Sequence, residues 1–433
     1  MRVFRDKENL GALDLEATEM CVRQTVHCLG ATLLQKLVNS DRGDYRGPQI
    51  DDGVGAIADF VEYRTKDVTT VLGNITVNRA YYYNATNGNG MIPKDKSLDI
   101  EGTGFSPGVR RMMARVGANE SFAAGRDDLQ ELAGITVSAK DIERVAEGIG
   151  EHIELIAENN RRNALSESVV PLAPKIQKLY IEMDGTGVPA IKRETEGRKG
   201  KAEGGIAKTR EAKLGVIFTQ TGLDKDGKPI RDENSTTYTG GIETCEEFEN
   251  RIYAEALRRG LSWAEQVIVL SDGAVWIREI VEKYFPNAIT ILDFYHASEY
   301  LGELAKTVYN KNTAIRYLWL DTQCKELREG DVGVVIEAMH RLKPKTSEAK
   351  EVLRKTIKYF ENNRLRMKYA EHIKQGLFIG SGVIEAGCKT IVGQRLKQSG
   401  MRWTVKGANA IISLRCCQMS NQWENYWESR KAA

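Results

Sequence analysis

The 433-residue chain has no Cys-x-x-Cys pair, no apolar run of membrane length and almost no net charge. Its seven cysteines, Cys21, Cys28, Cys245, Cys324, Cys388, Cys416 and Cys417, are an odd and scattered set. Neither a disulfide framework nor a cysteine zinc site is indicated, so zinc is not expected. No stretch approaches the roughly 18 consecutive apolar residues of a membrane span. The start carries no charged-then-apolar signal pattern. The expectation is a cytosolic protein with no membrane partner, in which triplets such as Asn74-Ile75-Thr76 carry no glycosylation meaning. Net charge is only +2, so affinity for a polyanion has to come from local clusters. Hydrophobic content of 41% and charged content of 28% are those of a globular chain.

Read in order, residues 14–38 suggest an amphipathic helix, with Cys21 and Cys28 seven apart on one face and read as core packing. Residues 56–83 change to short alternating segments around a Leu72-Gly73-Asn74 turn, a small antiparallel β unit, with a loop from Asn84 to Gly90. Ser106-Pro107-Gly108 opens a helix, with Ser as N-cap and Pro in the first turn. Two helices then flank Gly134-Ile135-Thr136-Val137, and Ser138 and Asp141 match a capping box. Leu129, Leu132, Ile135, Ile142 and Val145 supply their apolar face. This is helix-turn-helix spacing, and the second helix would offer Lys140 and Arg144 to DNA; an ordinary helical hairpin fits the pattern equally. Pro171-Leu172-Ala173-Pro174 reads as a linker.

From residue 176 the patterns alternate between strands and helices, antiparallel hairpins first and parallel strands later, which is an α/β sheet. Leu179-Tyr180-Ile181-Glu182-Met183-Asp184-Gly185-Thr186-Gly187 reads as a strand that carries an acid into a glycine-rich turn. Val267-Ile268-Val269-Leu270-Ser271-Asp272-Gly273 repeats the situation, and Gly380-Ser381-Gly382-Val383-Ile384-Glu385 starts a helix with a Glu near its head. Turn chemistry explains either Asp-Gly alone. Together, Asp184, Asp272 and Glu385 could hold two divalent ions for in-line phosphoryl transfer. An RNase H-like sheet would unite them, and a cation would relieve their mutual repulsion. Asp293 and His296, three apart, could meet on one helical face and help position DNA or a metal-bound water, or serve structure alone.

Basic clusters accompany these acids. Residues 192–213 hold eight Lys/Arg, Lys199 and Lys201 among them, against four Glu. This glycine-bearing stretch reads either as a solvated loop or as a clamp on phosphates. Residues 300–378 are helical in pattern, with sixteen Lys/Arg against ten Asp/Glu, and look inserted between the second and third acids. Residues 389–406 hold five basic residues and no acid, with Arg395, Lys397 and the Arg402-Trp403 pair, a composition that favours DNA.

Taken together, the segments around Asp184, Asp272, Asp293-Phe294-Tyr295-His296-Ala297, Ser381-Gly382-Val383-Ile384-Glu385-Ala386 and Gly400-Met401-Arg402-Trp403 leading to Leu414-Arg415 resemble a bacterial insertion-sequence transposase of the ISKra type, in the DDE superfamily. The resemblance runs from about Gly104 to the end. It implies an RNase H-like catalytic core at 175–299 and 379–433, with a helical insertion at 300–378. Before the core, the sequence patterns give an N-terminal helical segment (1–48), a small β unit (49–100) and a helix-turn-helix-like region (101–170). It implies Asp184, Asp272 and Glu385 as catalytic metal ligands and Asp293 and His296 as an accessory Asp-x-x-His signature. The implied ion is magnesium, with manganese as its substitute. The implied partners are double-stranded transposon ends and target DNA, handled by a homo-oligomer at the nucleoid of a bacterial cytoplasm. Similar proteins carry Cys-x-x-Cys pairs in the β unit, where this chain has Asn84 and Asn87. Asparagines do not replace thiolates on zinc, so the unit either folds without metal or binds DNA more weakly. The expected activity is DNA cleavage and strand transfer. The alternatives are a transposase-derived DNA-binding protein with weak catalysis and a structure-selective nuclease.

Overall fold

The computed structural model describes residues 14–51, 57–166, 176–200, 205, 207–310 and 312–430. Two compact units divide the chain, Met1–Ala146 and Glu147–Ala433. Lys201 and the 171–174 linker lie outside the described residues. Among those described, no helix is long and apolar enough to cross a membrane.

The first unit begins with α1 (Leu15–Val38), N-capped by Asp14. It lies along a four-stranded antiparallel sheet, β1 (Gln49–Asp51), β2 (Ile57–Thr70), β3 (Gly73–Asn84) and β4 (Asn89–Met91), in that spatial order. Ala31 and Leu34 of α1 pack against Val68, Ile75 and Val77. Gln35 and Asn39 cover exposed strand edge: Gln35 Oε1 accepts the Thr76 N–H and Asn39 Oδ1 the Asn78 N–H, both at 2.7 Å. Such cover prevents β3 from pairing with a foreign strand. The amphipathic expectation for this helix is corrected. Large apolar side chains stand in solvent along the face away from β3, and Cys21 and Cys28 are exposed rather than core. The loop after Tyr83 also differs from expectation, because residues 89–91 return as β4. Its turn closes on the Asn84 side chain, which accepts the N–H groups of Thr86 at 2.8 Å and Asn87 at 3.4 Å.

After the short α2 (Pro93–Ser97) come α3 (Pro107–Asn119), α4 (Phe122–Ala133) and α5 (Ala139–Ser166). Ser106 caps α3 through the Val109 N–H, and Gly134 ends α4 in the left-handed conformation at φ 67°. Ser138 and Asp141 form the reciprocal cap, at 3.2 and 3.0 Å. Val109, Met113, Leu129, Ile135 and Ile142 make the core, whereas Leu132, expected on the apolar face, is 73% exposed.

The second unit is built on a mixed five-stranded sheet in the spatial order β11-β10-β5-β6-β9. These are β5 (Ile176–Pro189), β6 (Thr209–Gln220), β9 (Thr237–Gly241), β10 (Ala264–Ser271) and β11 (Ile289–Leu292); the short α6 (Lys192–Thr195) and the small hairpin β7 (Gly222–Leu223) and β8 (Pro229–Ile230) fall between them. β5, β6 and β9 pair antiparallel, while β10 runs parallel to both β5 and β11. Leu179, Ile181 and Met183 of β5 point to one face, under α7 (Cys245–Arg258) and α8 (Val275–Tyr284). By strand alternation, Tyr180, Glu182 and Asp184 point to the other. The outer edge of β9 is closed by side chains: Tyr238 N–H donates to Ser420 Oγ at 2.8 Å and Ile242 N–H to Asn409 Oδ1 at 2.7 Å.

Helices α9 (Phe294–Val308), α10 (Thr313–Glu329), α11 (Val332–His340), α12 (Ser347–Asn363) and α13 (Tyr369–Lys374) follow β11. The chain then returns to the sheet as α14 (Gly382–Gly387), which continues through a wide π-helical turn at Cys388–Gly393. It ends in α15 (Val405–Met419) and α16 (Trp423–Ser429).

Candidate active site

Asp184 lies within β5, not at its end. The strand continues through Gly185 and Gly187 to Pro189, paired with β6 as far as Thr209. This corrects the expected turn, and the pairing explains it. In that pairing Gly185 lies opposite Lys213 and Gly187 opposite Glu211.

The second acid arrives from the neighbouring parallel strand. The register sets Leu270 of β10 beside Glu182 of β5, so Asp272, two residues on, comes level with Asp184. Asp272 Oδ1 accepts the Ala274 N–H at 2.9 Å. Gly273 between them sits at φ +90°, where a Cβ would meet Leu292 at 2.9 Å. The helices after β11 reach this corner. Tyr359 Oη donates to the Asp272 carbonyl at 2.7 Å, and Arg366 donates to Ser271 Oγ at 2.5 Å.

The third acid is carried on α14, whose head two buried carboxylates hold. Glu182, fully buried, accepts the Ile384 N–H at 2.8 Å. Asp293, also fully buried, accepts from the Ser381 N–H, and from Ser381 Oγ at 2.8 Å. Its other oxygen caps α9 through the His296 N–H at 2.5 Å. Asp293 is thus a brace, and the His296 ring turns instead to Glu299 at 3.6 Å. Gly387 lets the helix lie on the sheet, since a Cβ there would stand 2.6 Å from the Tyr238 ring. Glu385 itself is exposed.

The electrostatics are those of acids short of cations. Burial raises the Asp184 carboxyl, and the Asp272 charge adds to this, against hydrogen bonds from Gly185 and the Cys388 thiol. Partial burial raises Glu385, and the Asp293 and Glu299 charges push the same way, with a smaller contribution from Asp184. Burial pushes Glu182 up to about 8, although the Ile384 N–H favours its charged form. Glu182 Oε1 has no hydrogen-bond partner, as expected of a carboxyl kept neutral.

Among the described residues, no three His, Cys, Asp or Glu side chains lie close enough together to hold a metal ion as they stand. Half-buried Asp184 facing Asp272 nevertheless offers the hard oxygen donors and unbalanced charge that suit magnesium.

The basic residues divide in two. Lys199, Lys397 and Arg402 are exposed, and Lys397 Nζ donates to Thr186 Oγ1, two residues past Asp184, at 2.5 Å. Arg395 and Trp403 are buried, which corrects their reading as DNA contacts. The guanidinium of Arg395 stacks 5.0 Å from the Trp403 ring centre, and the indole N–H donates to the Leu396 carbonyl at 3.1 Å. The Trp403 backbone bonds to Pro189 and Ile191, so the pair fixes the end of β5. In the first unit, Lys140 and Arg144 are exposed and ion-paired to Glu143 and Asp141. Glu182, Tyr359 and Arg366 were not anticipated from sequence. Glu182 alone had a signal, as an acid two residues before Asp184 and so on the same strand face.

Residues 58–431 match the profile of the family described as "Uncharacterised protein family (UPF0236)". A relative from Streptococcus gallolyticus, described as "UPF0236 protein in vanSb 3'region", is 23% identical over 443 residues, spanning 99% of this chain and 87% of that protein. Among solved structures, the Drosophila P element transposase strand transfer complex aligns over 76% of this chain and 83% of its own, at 8% identity and a TM-score of 0.28. A likeness that loose carries no inference about chemistry.

Proposed function

The chain belongs to the UPF0236 family, and from its own residues we propose that it is a DNA transposase of the DDE type. In this reading the second unit is an RNase H-like catalytic domain interrupted by the helical block at 300–378, and the chain acts as a homo-oligomer on transposon ends in the bacterial cytoplasm. The observation that carries the proposal is the arrangement of the acids. Asp184 and Asp272 come level on adjacent parallel strands, and Glu385 rides a helix whose head is tied to β5 by Glu182 and to β11 by Asp293.

Magnesium would be held by Asp184 and Asp272, with Glu385 as the third donor. Bound there, it would supply Lewis acidity for cleavage at transposon ends and for attack of the freed 3′-hydroxyl on target DNA. Lys199, Lys397 and Arg402 would steady the phosphates, and Lys140 and Arg144 would serve DNA from the first unit. The separation of the acids as they stand favours a second reading, a transposase-derived DNA-binding protein with little cutting.

The test is magnesium-dependent nicking of labelled DNA carrying the transposon's own ends, comparing wild type with Asp184→Ala. Nicking at the end that the substitution abolishes supports the transposase. Tight end binding by both proteins without cleavage supports the second reading and overturns the first.

A further inference from the structure

Helix α1 is apolar on the side it buries and also on the side it shows. Leu15, Val22, Val26, Leu29, Leu33 and Leu37 are 53 to 72% exposed. At 100° per residue they fall in one narrow stripe, well away from the Ala31 and Leu34 side that rests on the sheet. A helix with large apolar side chains on two faces is ordinarily covered on both. The spacing of the stripe, steps of seven, four, three and four from Leu15 to Leu33, is that of heptad core positions, which pack against another helix as knobs into holes.

We infer that α1 pairs with α1 of a second copy of this chain, antiparallel, about a twofold axis. The inference stands on this face alone and not on the chemistry proposed above. Charge and volume select the partner and its direction. Two charged residues, Glu19 and Lys36, occupy core positions of the same repeat, and both are exposed. Antiparallel pairing that sets Val26 against Leu29 of the second copy also sets Val22 against Leu33 and Glu19 against Lys36. Twofold symmetry then repeats each layer in reverse. Each apolar layer holds one valine and one leucine, and each end layer holds opposite charges. Parallel pairing would oppose Glu19 to Glu19 and Lys36 to Lys36.

On one flank of the stripe Arg23 donates to the Glu131 and Leu132 carbonyls at the end of α4, and the other flank is open to such a pairing. Thr18, Thr25 and Thr32 recur every seven residues beside the stripe, and their hydroxyls already donate to the Asp14, Cys21 and Cys28 carbonyls at 2.7 to 2.9 Å. Covering the stripe on both copies removes on the order of 1,000 Å² from water, near the floor for a specific interface.

Sedimentation of the full chain at micromolar concentration, without DNA or metal, tests this. The expected result is a dimer for wild type and a monomer for Leu29→Asp, whose site is exposed, with an unchanged helical circular dichroism signal. Glu19→Lys weakens the dimer about tenfold, since two attractive layers become repulsive, and adding Lys36→Glu restores it. A monomeric wild type, an undiminished Leu29→Asp dimer, or a double swap that fails to restore association would each overturn the inference. None of these readouts involves cleavage, so failure here is distinct from failure of the transposase reading.

Discussion

Glu182 shows how one residue joins strand to helix at the candidate site. Its carboxyl is fully buried, bonded to the first turn of α14 and pushed up to about 8, from about 4.3 in an unfolded chain. The folded state therefore keeps a proton that the unfolded chain has released, and stability falls as pH rises from about 4.3 to 8. Glu182→Gln retains an acceptor for Ile384 and removes the titration. Its melting temperature should exceed that of wild type by a few degrees at pH 8, with the gap closing toward pH 5. A gap independent of pH would count against a neutral Glu182. Asp184 and Asp272 were legible in the sequence because each follows an apolar run and precedes glycine. Arg395 and Trp403 were misread for a physical reason: a basic tail without acids reads as surface, and nothing local signals that a guanidinium will be buried on an indole.

Single helices also reach the site. Tyr359 on α12 holds the Asp272 carbonyl, so the helical block contributes directly to the second acid's corner. Tyr359→Phe should cost about 1 kcal/mol of stability and weaken manganese binding at the acids; calorimetry with unchanged affinity would separate the helix from the site. Gly387 makes the opposite kind of contribution, by having no side chain. Gly387→Ala places a Cβ 2.6 Å from the Tyr238 ring and should destabilise by about 1–3 kcal/mol in a denaturant titration. The long helices and central strands were legible from periodicity. β1 and β4, three residues each, were too short to leave one. The extent of β5 was legible, but Gly185 and Gly187 resemble a turn after Asp184 until the partner strand is known. α1 reads as amphipathic because charges and threonines punctuate it, and local sequence does not signal that a second row of leucines and valines stands in solvent.

Across the second unit, the order of strands and helices was readable, but its polar ties were not. Arg251, nearly buried, bonds Glu243 at 2.7 Å and Glu154 at 2.8 Å, and Ser413 donates to Glu154 at 2.9 Å, joining α5, α7 and α15. Burial alone would raise the Glu154 carboxyl, but Arg251 and then Arg161 outweigh it and hold it below the usual range. A lowered folded pKa stabilises above the unfolded value near 4.3, and that stability is lost as pH falls through the folded one. Arg251→Ala should cost about 3–5 kcal/mol by leaving half-buried Glu243 without its cation and Glu154 with Arg161 alone. In urea melts the deficit should be largest at neutral pH and shrink below pH 4. A deficit independent of pH would contradict the coupling. Partners this distant in sequence meet only through the sheet, and no local pattern announces them.

The claim on which the functional reading depends is that acids from positions 184, 272 and 385 together bind divalent cations. Titrating manganese into the full chain by calorimetry measures this without knowledge of any DNA end sequence. The predicted result is a site that Asp184→Ala and Asp272→Ala each weaken at least tenfold, and that Glu385→Ala also weakens. Equal affinity in wild type and all three variants would contradict it.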